Sequence, residues 1–589
     1  MRLHLMSTSI TTFLMSYSAA IEKRPRHFLP EAFVISDWES LAPYFTALEN
    51  RSIASVSELQ QWLLDASELE AVISEEACWR QIKMTCDTEN KALEESFNYF
   101  MLELQPRIQP WSDKLNRKLL ACPFVGQLPA ALYAPFLRNI RKQIDLYREN
   151  NVPIQAEISV LQQQFGVIAG KMTITVKGKE YTLQQAAKFL EDEDRNLREQ
   201  VYRQIAERRY QDREALDGLF DQLLQKRNQL ALNAGMDNYR AYRFLELGRF
   251  DYDHVMCEQF HQAVKEEVMP LVNEIYTKKK ERLGLTTLRP WDIEAEPAGT
   301  KPLRPFTNGE ELTEKSIACL RRLHPFFGDC IATMRRMQRL DLESRKGKAP
   351  GGYNCPLAET GAPFIFMNAA GTLDDVTTMV HEGGHAVHSF LTHPLPLNGF
   401  KEYPTEIAEV ASMSMELFTM DYWDSFFSDA SEWQRAKEQQ LERVITIFPW
   451  IATIDKFQHW IYTHPQHSIA ERNQVWLSIL NEYSSSVIDF DGLELYRSYQ
   501  WQRQLHLFEV PFYYIEYGIA QLGAIGLWQQ YHQDPAKALK NYMTALSLGG
   551  TKTLPELFAA AGLPFDFSAG RIRTLMQFVQ ASWKQARQS

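Results

Sequence analysis

A five-residue stretch, His381 to His385, carries the side chains with the clearest chemistry in this chain. His381 and His385 stand four residues apart, so on a helix their Cβ atoms share one face about 6 Å apart, and both imidazoles can reach one cation. Glu382 lies on the flank of that face, where its carboxylate can hold water against the cation. The pattern H-E-x-x-H is typical of zinc hydrolases; the alternative is a pair of histidines that are only solvated.

A catalytic zinc takes three protein ligands, so the chain must supply a third. His388 shares the face, but it lies about 10 Å along the helix axis from the first histidine, too far for both to bind one ion. The following segment is predicted to be a helix that begins at Pro404 and carries Glu406, Glu409 and Glu416 on one face. These carboxylates are the candidate third ligands. The alternative is a solvated acidic stripe.

The two histidines require a helix of about five turns, predicted over residues 372–393. Thr372 and Asp375 have the spacing of a capping box at its start, and a proline follows its end. Gly383 and Gly384 stand in its interior, where each costs about 1 kcal/mol against alanine. Their presence predicts that backbone or ligand approaches this helix closely.

The sequence HEGGHAVHS, followed by TEIAEVASMSMELF, resembles the thimet oligopeptidase and oligoendopeptidase F family of zinc metallopeptidases. The resemblance implies His381, His385 and Glu409 as the ligands of one Zn²⁺ per chain and Glu382 as the general base. It also places Glu406 where an acid accepts the far N–H of a ligating histidine, an interaction that fixes the tautomer of the ring.

A second region, residues 506–528, is rich in aromatic residues. Tyr514 and Tyr517 are three residues apart and share a helix face, with Tyr513 beside them and His506 upstream. Amide hydrolysis needs a donor for the developing oxyanion, and a phenol serves without titrating at neutral pH. The alternative is an aromatic core. Because family members carry a histidine and a tyrosine cluster facing the zinc here, the resemblance implies catalytic roles for His506, Tyr514 and Tyr517 and a substrate contact for Tyr513.

Upstream of the histidines, residues 341–368 are rich in glycine and proline and end in an apolar run that predicts a short strand at 364–367. Zinc peptidases commonly bind an extended substrate beside such a strand through main-chain hydrogen bonds. We therefore predict that Phe364 and Phe366 contact substrate; the alternative is a structural loop and strand. The family resemblance extends to the D-x-x-x-R-x-G-K pattern that begins at Asp341.

At 589 residues the chain is too large for one simple core, and two or more lobes are expected. We predict a poorly ordered tail over residues 1–27, an N-terminal helical lobe over 28–200 and a helical catalytic domain over 201–586. Alternating residues within 171–184 predict a β-hairpin that turns at Gly178. The resemblance implies a mostly α-helical fold of two lobes around a deep central channel, with a small β element near the zinc helix.

Composition limits the possible partners. The net charge is −11 and the pI about 5.8, which argues against nucleic acid because no basic excess displaces counterions. No stretch after the first twenty residues supplies the roughly 18 apolar residues of a membrane span. The first twenty residues imitate a secretory signal only weakly. The seven cysteines are odd in number and scattered, which favours a reducing compartment and hence the cytoplasm.

The resemblance implies a zinc-dependent endopeptidase that cuts internal bonds of short unstructured peptides, because a site at the floor of a channel excludes folded proteins. Two alternatives stay open. A zinc carboxypeptidase needs a fixed cation for the terminal carboxylate of the substrate, and arginine and lysine are plentiful. A non-catalytic peptide-binding protein with a vestigial site is the other, although Glu382 is intact beside both histidines. The sequence does not set the oligomeric state.

Overall fold

The computed structural model describes residues 18–21 and 23–587. Most of the predicted N-terminal tail, namely residues 1–17 and residue 22, lies outside the described residues. In the described part of the tail, Arg24 donates to the carbonyl of His393 at 2.6 Å and Arg26 binds Glu359 at 2.6 Å. These two contacts tie the start of the described chain to segments that flank the histidine helix.

Helices dominate the fold, as predicted. None of the described helices is both long and apolar enough to cross a membrane. Two π-helical turns, Phe100–Leu104 and Val264–Val268, join consecutive helices, and a 3-10 turn spans Gln500–Arg503. In chain order the helices are α1 (Trp38–Asn50), α2 (Val56–Cys86), α3 (Lys91–Tyr99), α4 (Gln105–Ala121), α5 (Ala130–Leu146), α6 (Asn151–Gly170), α7 (Leu183–Ala187), α8 (Arg195–Gln211), α9 (Arg213–Asn233), α10 (Tyr239–Glu246), α11 (His254–Ala263), α12 (Met269–Arg282), α13 (Gly309–Leu323), α14 (Pro325–Arg336), α15 (Leu373–Thr392), α16 (Thr405–Thr419), α17 (Ala430–Thr463), α18 (Ile469–Glu482), α19 (Glu494–Ser498), α20 (Leu505–Glu509), α21 (Tyr514–Gln533), α22 (Pro535–Ser547), α23 (Leu554–Ala560) and α24 (Ala569–Ala586).

The strands of the described chain form two small sheets. They are β1 (Thr173–Val176), β2 (Lys179–Thr182), β3 (Leu340–Glu343), β4 (Tyr353–Cys355) and β5 (Phe364–Ala369). β1 and β2 make the predicted antiparallel hairpin, whose turn residues Lys177 and Gly178 have φ values of 50° and 78°, as a tight two-residue turn requires. The second sheet has the order β3-β5-β4, with β5 parallel to β3 and antiparallel to β4.

Buried apolar residues form two main cores. The smaller core takes its residues from between Leu29 and Ile140, and Leu397 and Phe400 join it from the segment after the histidine helix. The larger core draws on residues 146–586 and surrounds α15, α16 and α21. The functional elements therefore rest on the larger core. The predicted lobe boundary at residue 200 stays a prediction.

The histidine helix and the glutamate helix begin where the sequence predicts. The carboxylate of Asp375 accepts from the backbone N–H of Thr372 at 2.8 Å, which caps the start of α15, and α16 begins directly after Pro404. The two helices run antiparallel and touch at Gly384, where a Cβ would lie 2.6 Å from the carbonyl oxygen of Ala411. The absence of a side chain at this glycine allows the close packing.

Candidate metal centre and active site

Three potential ligand atoms meet between α15 and α16. Nε2 of His381 lies 3.3 Å and Nε2 of His385 lies 3.7 Å from Oε2 of Glu409. Ligands about 2.0–2.1 Å from a tetrahedral zinc lie about 3.4 Å from one another, so these separations suit one small cation. The Glu409 side chain is 2% exposed, whereas the two histidines are 19% and 17% exposed. The cluster is thus open to solvent on the side of the imidazoles.

The carboxylate that orients His381 is Glu416. Its Oε1 lies 2.7 Å from Nδ1 of His381, and its Oε2 accepts from Nε2 of Gln440 at 2.9 Å. A proton on Nδ1 leaves the lone pair of Nε2 for a cation. The prediction of this role for Glu406 is wrong, because Glu406 accepts from the hydroxyl of Tyr252 at 2.6 Å. Since α15 and α16 are antiparallel, the late part of α16 faces His381 and its first turn does not.

Two hydroxyls hold the carboxylate of Glu409. Tyr513 donates to Oε1 at 2.5 Å and Ser412 donates to Oε2 at 3.0 Å, so Oε2 is turned toward the histidines. Tyr513 reaches Glu409 because α21, which it precedes, packs extensively along α16. The predicted contact of Tyr513 with substrate stays a prediction.

The charge around the cluster favours a cation. Burial opposes protonation of His381, but its hydrogen bonds to Glu409 and Glu416 hold its pKa well above the ordinary value. Burial also acts to raise the pKa of Glu409, yet His385, His381 and Tyr513 together lower it to about 2. A cation at Nε2 of His381 would replace the proton that the carboxylates attract there, since metal ligands bind in their deprotonated forms. The residues present therefore fit a divalent metal ion.

Glu382 is buried beside this cluster, with 6% of its surface exposed. Its Oε2 has no hydrogen-bond partner among the described residues. β4 passes close by, because Asn354 donates to the backbone carbonyl of Glu382 at 3.3 Å and a Cβ at Gly352 would lie 3.9 Å from Oε1. Burial raises the pKa of Glu382 to about 7. A carboxylate with a free oxygen beside a cation site can accept a proton from water.

A series of hydrogen bonds sets the tautomer of His506. The indole N–H of Trp450 donates to Oε1 of Gln504 at 3.0 Å, which turns Nε2 of the amide toward Nδ1 of His506, 2.8 Å away. The amide nitrogen can only donate, so Nδ1 accepts and the imidazole proton lies on Nε2. Nε2 is 3.2 Å from the hydroxyl oxygen of Tyr517. That oxygen accepts, and its own O–H is left to donate elsewhere. Burial lowers the pKa of His506 to about 4, which keeps the ring neutral at pH 7.

The two tyrosines predicted to be catalytic differ in where their hydroxyls point. Burial, with Glu409 next in effect, raises the pKa of Tyr517 well above the ordinary value, so the phenol keeps its proton near the cluster. The hydroxyl of Tyr514 lies beside Trp450 and Gln504, where burial raises its pKa to about 12. The hydroxyl of Tyr517 is therefore better placed than that of Tyr514 to donate a hydrogen bond near the cluster. Tyr514 supports the imidazole ring of His506, which Tyr517 contacts.

The strand predicted to bind substrate is present, but it lies at the centre of its sheet. β5 is hydrogen-bonded to β3 on one side and to β4 on the other, so both of its edges are occupied. Phe364 and Phe366 are 6% and 0% exposed and pack with Ile82 and Leu357. The prediction that they contact substrate is wrong, because side chains of this central strand fill an apolar cluster. Of the two outer strands, β4 is the one beside Glu382.

A cavity of about 570 Å³ lies near the cluster, although none of the three potential ligands lines it. Its wall includes Gln440, whose amide is bonded to Glu416, and one face of α17 at Gln439, Arg443 and Thr446. The first turn of α15 forms part of the opposite wall. A space of this size accommodates a short peptide segment.

A second group of potential ligands does not suit a metal. Side-chain atoms of Cys257, Asp455 and His459 lie within 4.8 Å of one another and are buried. Nη1 of Arg240 lies 3.4 Å from Nδ1 of His459, and a guanidinium can only donate, so Nε2–H of that ring donates to Asp455 at 3.1 Å. A metal at Nε2 would require the opposite tautomer, with an N–H facing the guanidinium. The group is a buried hydrogen-bond network that also includes His261.

Sequence reasoning missed the roles of several residues of the site, among them Glu416, Gln504 and Trp450. Glu416 had a usable signal, because it shares a face of α16 with Glu409. Gln504 and Trp450 had none, since they are uncharged residues on separate elements that meet only in the folded chain.

The mostly α-helical fold and the pairing of an H-E-x-x-H helix with a glutamate helix place this chain in the peptidase class. The chain belongs to peptidase family M3: the model of that family matches residues 188–576, and the model of the M3 N-terminal domain matches residues 28–147. The resemblance stated from the sequence is confirmed.

Named relatives are distant in sequence and close in fold. An oligoendopeptidase F homologue of Borreliella burgdorferi is 22% identical over 379 residues, 62% of this chain and 61% of that protein. Oligopeptidase PepF of Bacillus subtilis is 22% identical over 381 residues, 64% of this chain and 55% of that protein. The match thus spans about three fifths of the length of these curated relatives.

The solved structure of PZ peptidase A with an inhibitor has a TM-score of 0.89 at 26% identity, covering 93% of this chain and 97% of its own. A crystal structure described under the name oligoendopeptidase F matches with the same TM-score and identity, covering 95% of this chain and 99% of its own.

Proposed function

We propose that this protein is a zinc-dependent endopeptidase that hydrolyses internal peptide bonds of short unstructured oligopeptides. The observation that carries the proposal is the meeting of His381, His385 and Glu409 beside a buried carboxylate, Glu382, whose Oε2 has no partner within residues 18–21 and 23–587. Membership of peptidase family M3 and the oligopeptidase names of its relatives support the same reading.

His381, His385 and Glu409 would hold one Zn²⁺ per chain. When bound, the cation supplies Lewis acidity that polarises a carbonyl oxygen and acidifies water. Glu416 keeps the ring of His381 in the binding tautomer, and Tyr513 with Ser412 keeps Oε2 of Glu409 turned inward.

Glu382 is proposed as the general base. Its free Oε2 accepts the proton of the attacking water, and the same carboxyl then returns the proton to the leaving amine. Its pKa of about 7 without a cation reflects burial; a cation on the neighbouring ligands would lower that pKa and keep the carboxylate ready to accept.

Tyr517 is proposed as the donor to the oxyanion that develops on the scissile carbonyl. Its hydroxyl oxygen accepts from Nε2–H of His506, so its proton points away from the imidazole. Such a preorganised donor strengthens its bond as negative charge grows on the carbonyl oxygen. His506 acts by holding Tyr517 in this orientation, with no proton of its own exchanged at neutral pH.

The open edge of β4 is proposed to pair with the backbone of the substrate, in place of the β5 edge. β4 is an outer strand, and Asn354 within it reaches the backbone of Glu382. Main-chain pairing accepts any sequence, which suits the clearance of varied peptide fragments. The scattered free cysteines support a cytoplasmic location as part of this proposal.

An internally quenched peptide blocked at both ends tests the proposal against its alternatives. The zinc-loaded protein is expected to cleave it internally. A carboxypeptidase would leave it intact until its C-terminus is freed, and a non-catalytic binding protein would leave both forms intact. Intact blocked peptide after prolonged digestion would overturn the endopeptidase assignment.

A further inference from the structure

Two arginines lie on neighbouring elements at one side of the tyrosine cluster. Arg209 is near the end of α8, and Arg503 ends the 3-10 turn Gln500–Arg503. The two elements pack together, because the rings of Tyr210 and Tyr499 contact edge-on at 5.4 Å and Gln502 donates to the carbonyl of Arg213 at 3.0 Å. The packing holds both guanidinium groups on the same side of the molecule.

Neither guanidinium has an acidic partner in the described part of the chain. Arg503 lies over the ring of Trp450, 4.5 Å from its centroid. Two cations in the wall of the neighbouring cavity do have acidic partners: Arg443 binds Asp374, and Lys279 lies 3.7 Å from Glu296. Arg209 and Arg503 differ from these two cations.

Several arginines influence one another around the pair. Burial and the nearby Arg503 lower the pKa of Arg209 to about 10. Tyr202 lies near both, and although burial raises its pKa, Arg503, Arg497 and Arg209 all act to lower it. Arg503 is nevertheless exposed to solvent. A guanidinium that is surrounded by protein atoms but still reaches solvent lines a concave surface. An anion that enters this surface is attracted by both guanidinium groups.

The position of Arg503 connects this surface to the active site. Gln439, Arg443 and Thr446 face the cavity, and Trp450 follows one turn later on the same face of α17. Trp450 supports Arg503 with its ring and donates to Gln504 with its N–H. Gln504 in turn orients His506, so the cationic surface lies one aromatic layer from the proposed oxyanion donor.

We propose that Arg209 and Arg503 form a binding site for a carboxylate of the peptide substrate, with the C-terminal carboxylate as its first source and an acidic side chain as the second. This inference rests on the proposed peptidase function. A guanidinium binds a carboxylate through two parallel N–H bonds, and such charge-assisted bonds are the stronger kind. Because an extended chain advances about 3.3 Å per residue, the carboxylate would sit a few residues from the scissile bond. The site would thereby favour short peptides whose end falls at that distance.

The test compares a quenched heptapeptide with a free C-terminus, its C-terminal amide, and amides that carry one glutamate at successive positions. KM and kcat are measured for the zinc-loaded wild-type protein and for the double variant Arg209→Gln/Arg503→Gln. We expect the wild-type KM to be about ten- to a hundred-fold lower for the free acid than for the amide. In the double variant the two values should agree within about two-fold, with kcat little changed. If a single glutamate in the amide restores the low KM, the side chain is the source of the carboxylate.

Arg203→Gln is the matched control, because Arg203 lies on the same helix but is paired with Glu199 at 2.8 Å and half exposed. It should keep the wild-type preference; an equal loss in Arg203→Gln would mean that overall charge, and not this site, sets KM. A wild-type protein that treats all the peptides alike would overturn the proposal.

Binding in the Glu382→Gln background separates this inference from the proposed function. Dissociation constants for the acid and amide peptides are measured there by fluorescence anisotropy, without hydrolysis. If the wild type cleaves none of the peptides but the acid binds more tightly through the arginines, the peptidase assignment fails and the carboxylate site stands. If the peptides are cleaved but bind with equal affinity, the site fails and the peptidase assignment stands.

Discussion

Nδ1 of His381 lies 2.7 Å from Oε1 of Glu416, whereas Glu406, at the other end of the same helix, is bonded to Tyr252. This pairing identifies which of these two carboxylates on α16 supports the metal centre. It arises from the antiparallel packing of α15 and α16, which sets the last turns of α16 opposite the first histidine.

Glu416→Gln is expected to weaken zinc binding by about ten-fold or more, because the charged partner of a ligating imidazole raises its basicity. The zinc dissociation constant is measured by competition with a chelator of known affinity. Glu406→Gln is the matched control and should change that constant by less than about two-fold. Equal losses in the two variants would contradict the assignment.

Tyr517→Phe is expected to lower kcat by about 10²–10³-fold with little change in KM, because the lost hydroxyl acts on the oxyanion and not on the bound substrate. Tyr514→Phe should retain activity within a few-fold, since its hydroxyl lies beside Trp450 and Gln504. Steady-state kinetics on one quenched peptide measures both. A larger loss of kcat in Tyr514→Phe than in Tyr517→Phe would reverse the roles proposed here.

Gly384→Ala and Gly383→Ala form a matched pair on one helix. A Cβ at Gly384 would lie 2.6 Å from the backbone of α16, so this variant must separate the two helices that carry the ligands. We expect it to lose about 1–3 kcal/mol of stability and to bind zinc less tightly. At Gly383 the nearest atom to a Cβ is 3.5 Å away, on Leu320, so alanine there should be neutral or stabilising by up to about 1 kcal/mol. Denaturant unfolding of the two variants provides the measurement, and similar losses in both would contradict the close-packing argument.

His388 provides a prediction about acid stability. It is fully buried and stacks on Tyr403 at 3.6 Å, and burial, with His385 next in effect, holds its pKa well below the ordinary value. The unfolded chain binds a proton at this residue below about pH 6.5 and the folded chain does not, so stability falls as pH drops below 6.5, by about 1.4 kcal/mol per pH unit.

His388→Phe keeps a stacked ring and removes this titration. With zinc removed by a chelator, the free energy of unfolding of the variant should fall less steeply between pH 7.5 and 5.5 than that of the wild type. Parallel curves for the two proteins would show that His388 does not contribute.

The sequence predicted the local features of the site and left open its long-range contacts. Thr372 and Asp375 cap α15, Pro404 precedes α16, and the hairpin turns at Gly178, because caps and turns depend on neighbouring residues alone. The convergence of His381, His385 and Glu409 also agrees with the pattern. The spacing of the two histidines follows the helical period, so the sequence alone limits which residues can share one face of a helix.

The wrong predictions concern contacts between distant segments. Glu406 and Glu416 lie on one face of α16, and only the packing direction of α15 decides which of them meets His381. Phe364 was expected at a substrate edge, but the pairing of β5 with both β3 and β4 joins segments whose partnership no local pattern encodes. The choice of Tyr517 over Tyr514 likewise depends on Gln504, an uncharged residue outside any motif.

The most direct test measures zinc content by elemental analysis together with cleavage of the doubly blocked quenched peptide, in the wild type, Glu382→Gln and Glu409→Gln. The account predicts about one zinc per chain in the wild type and in Glu382→Gln, with turnover reduced by about 10²–10⁴-fold in the latter. It predicts loss of zinc from Glu409→Gln. A Glu382→Gln protein that cleaves at the wild-type rate, or a Glu409→Gln protein that retains its zinc, would contradict it.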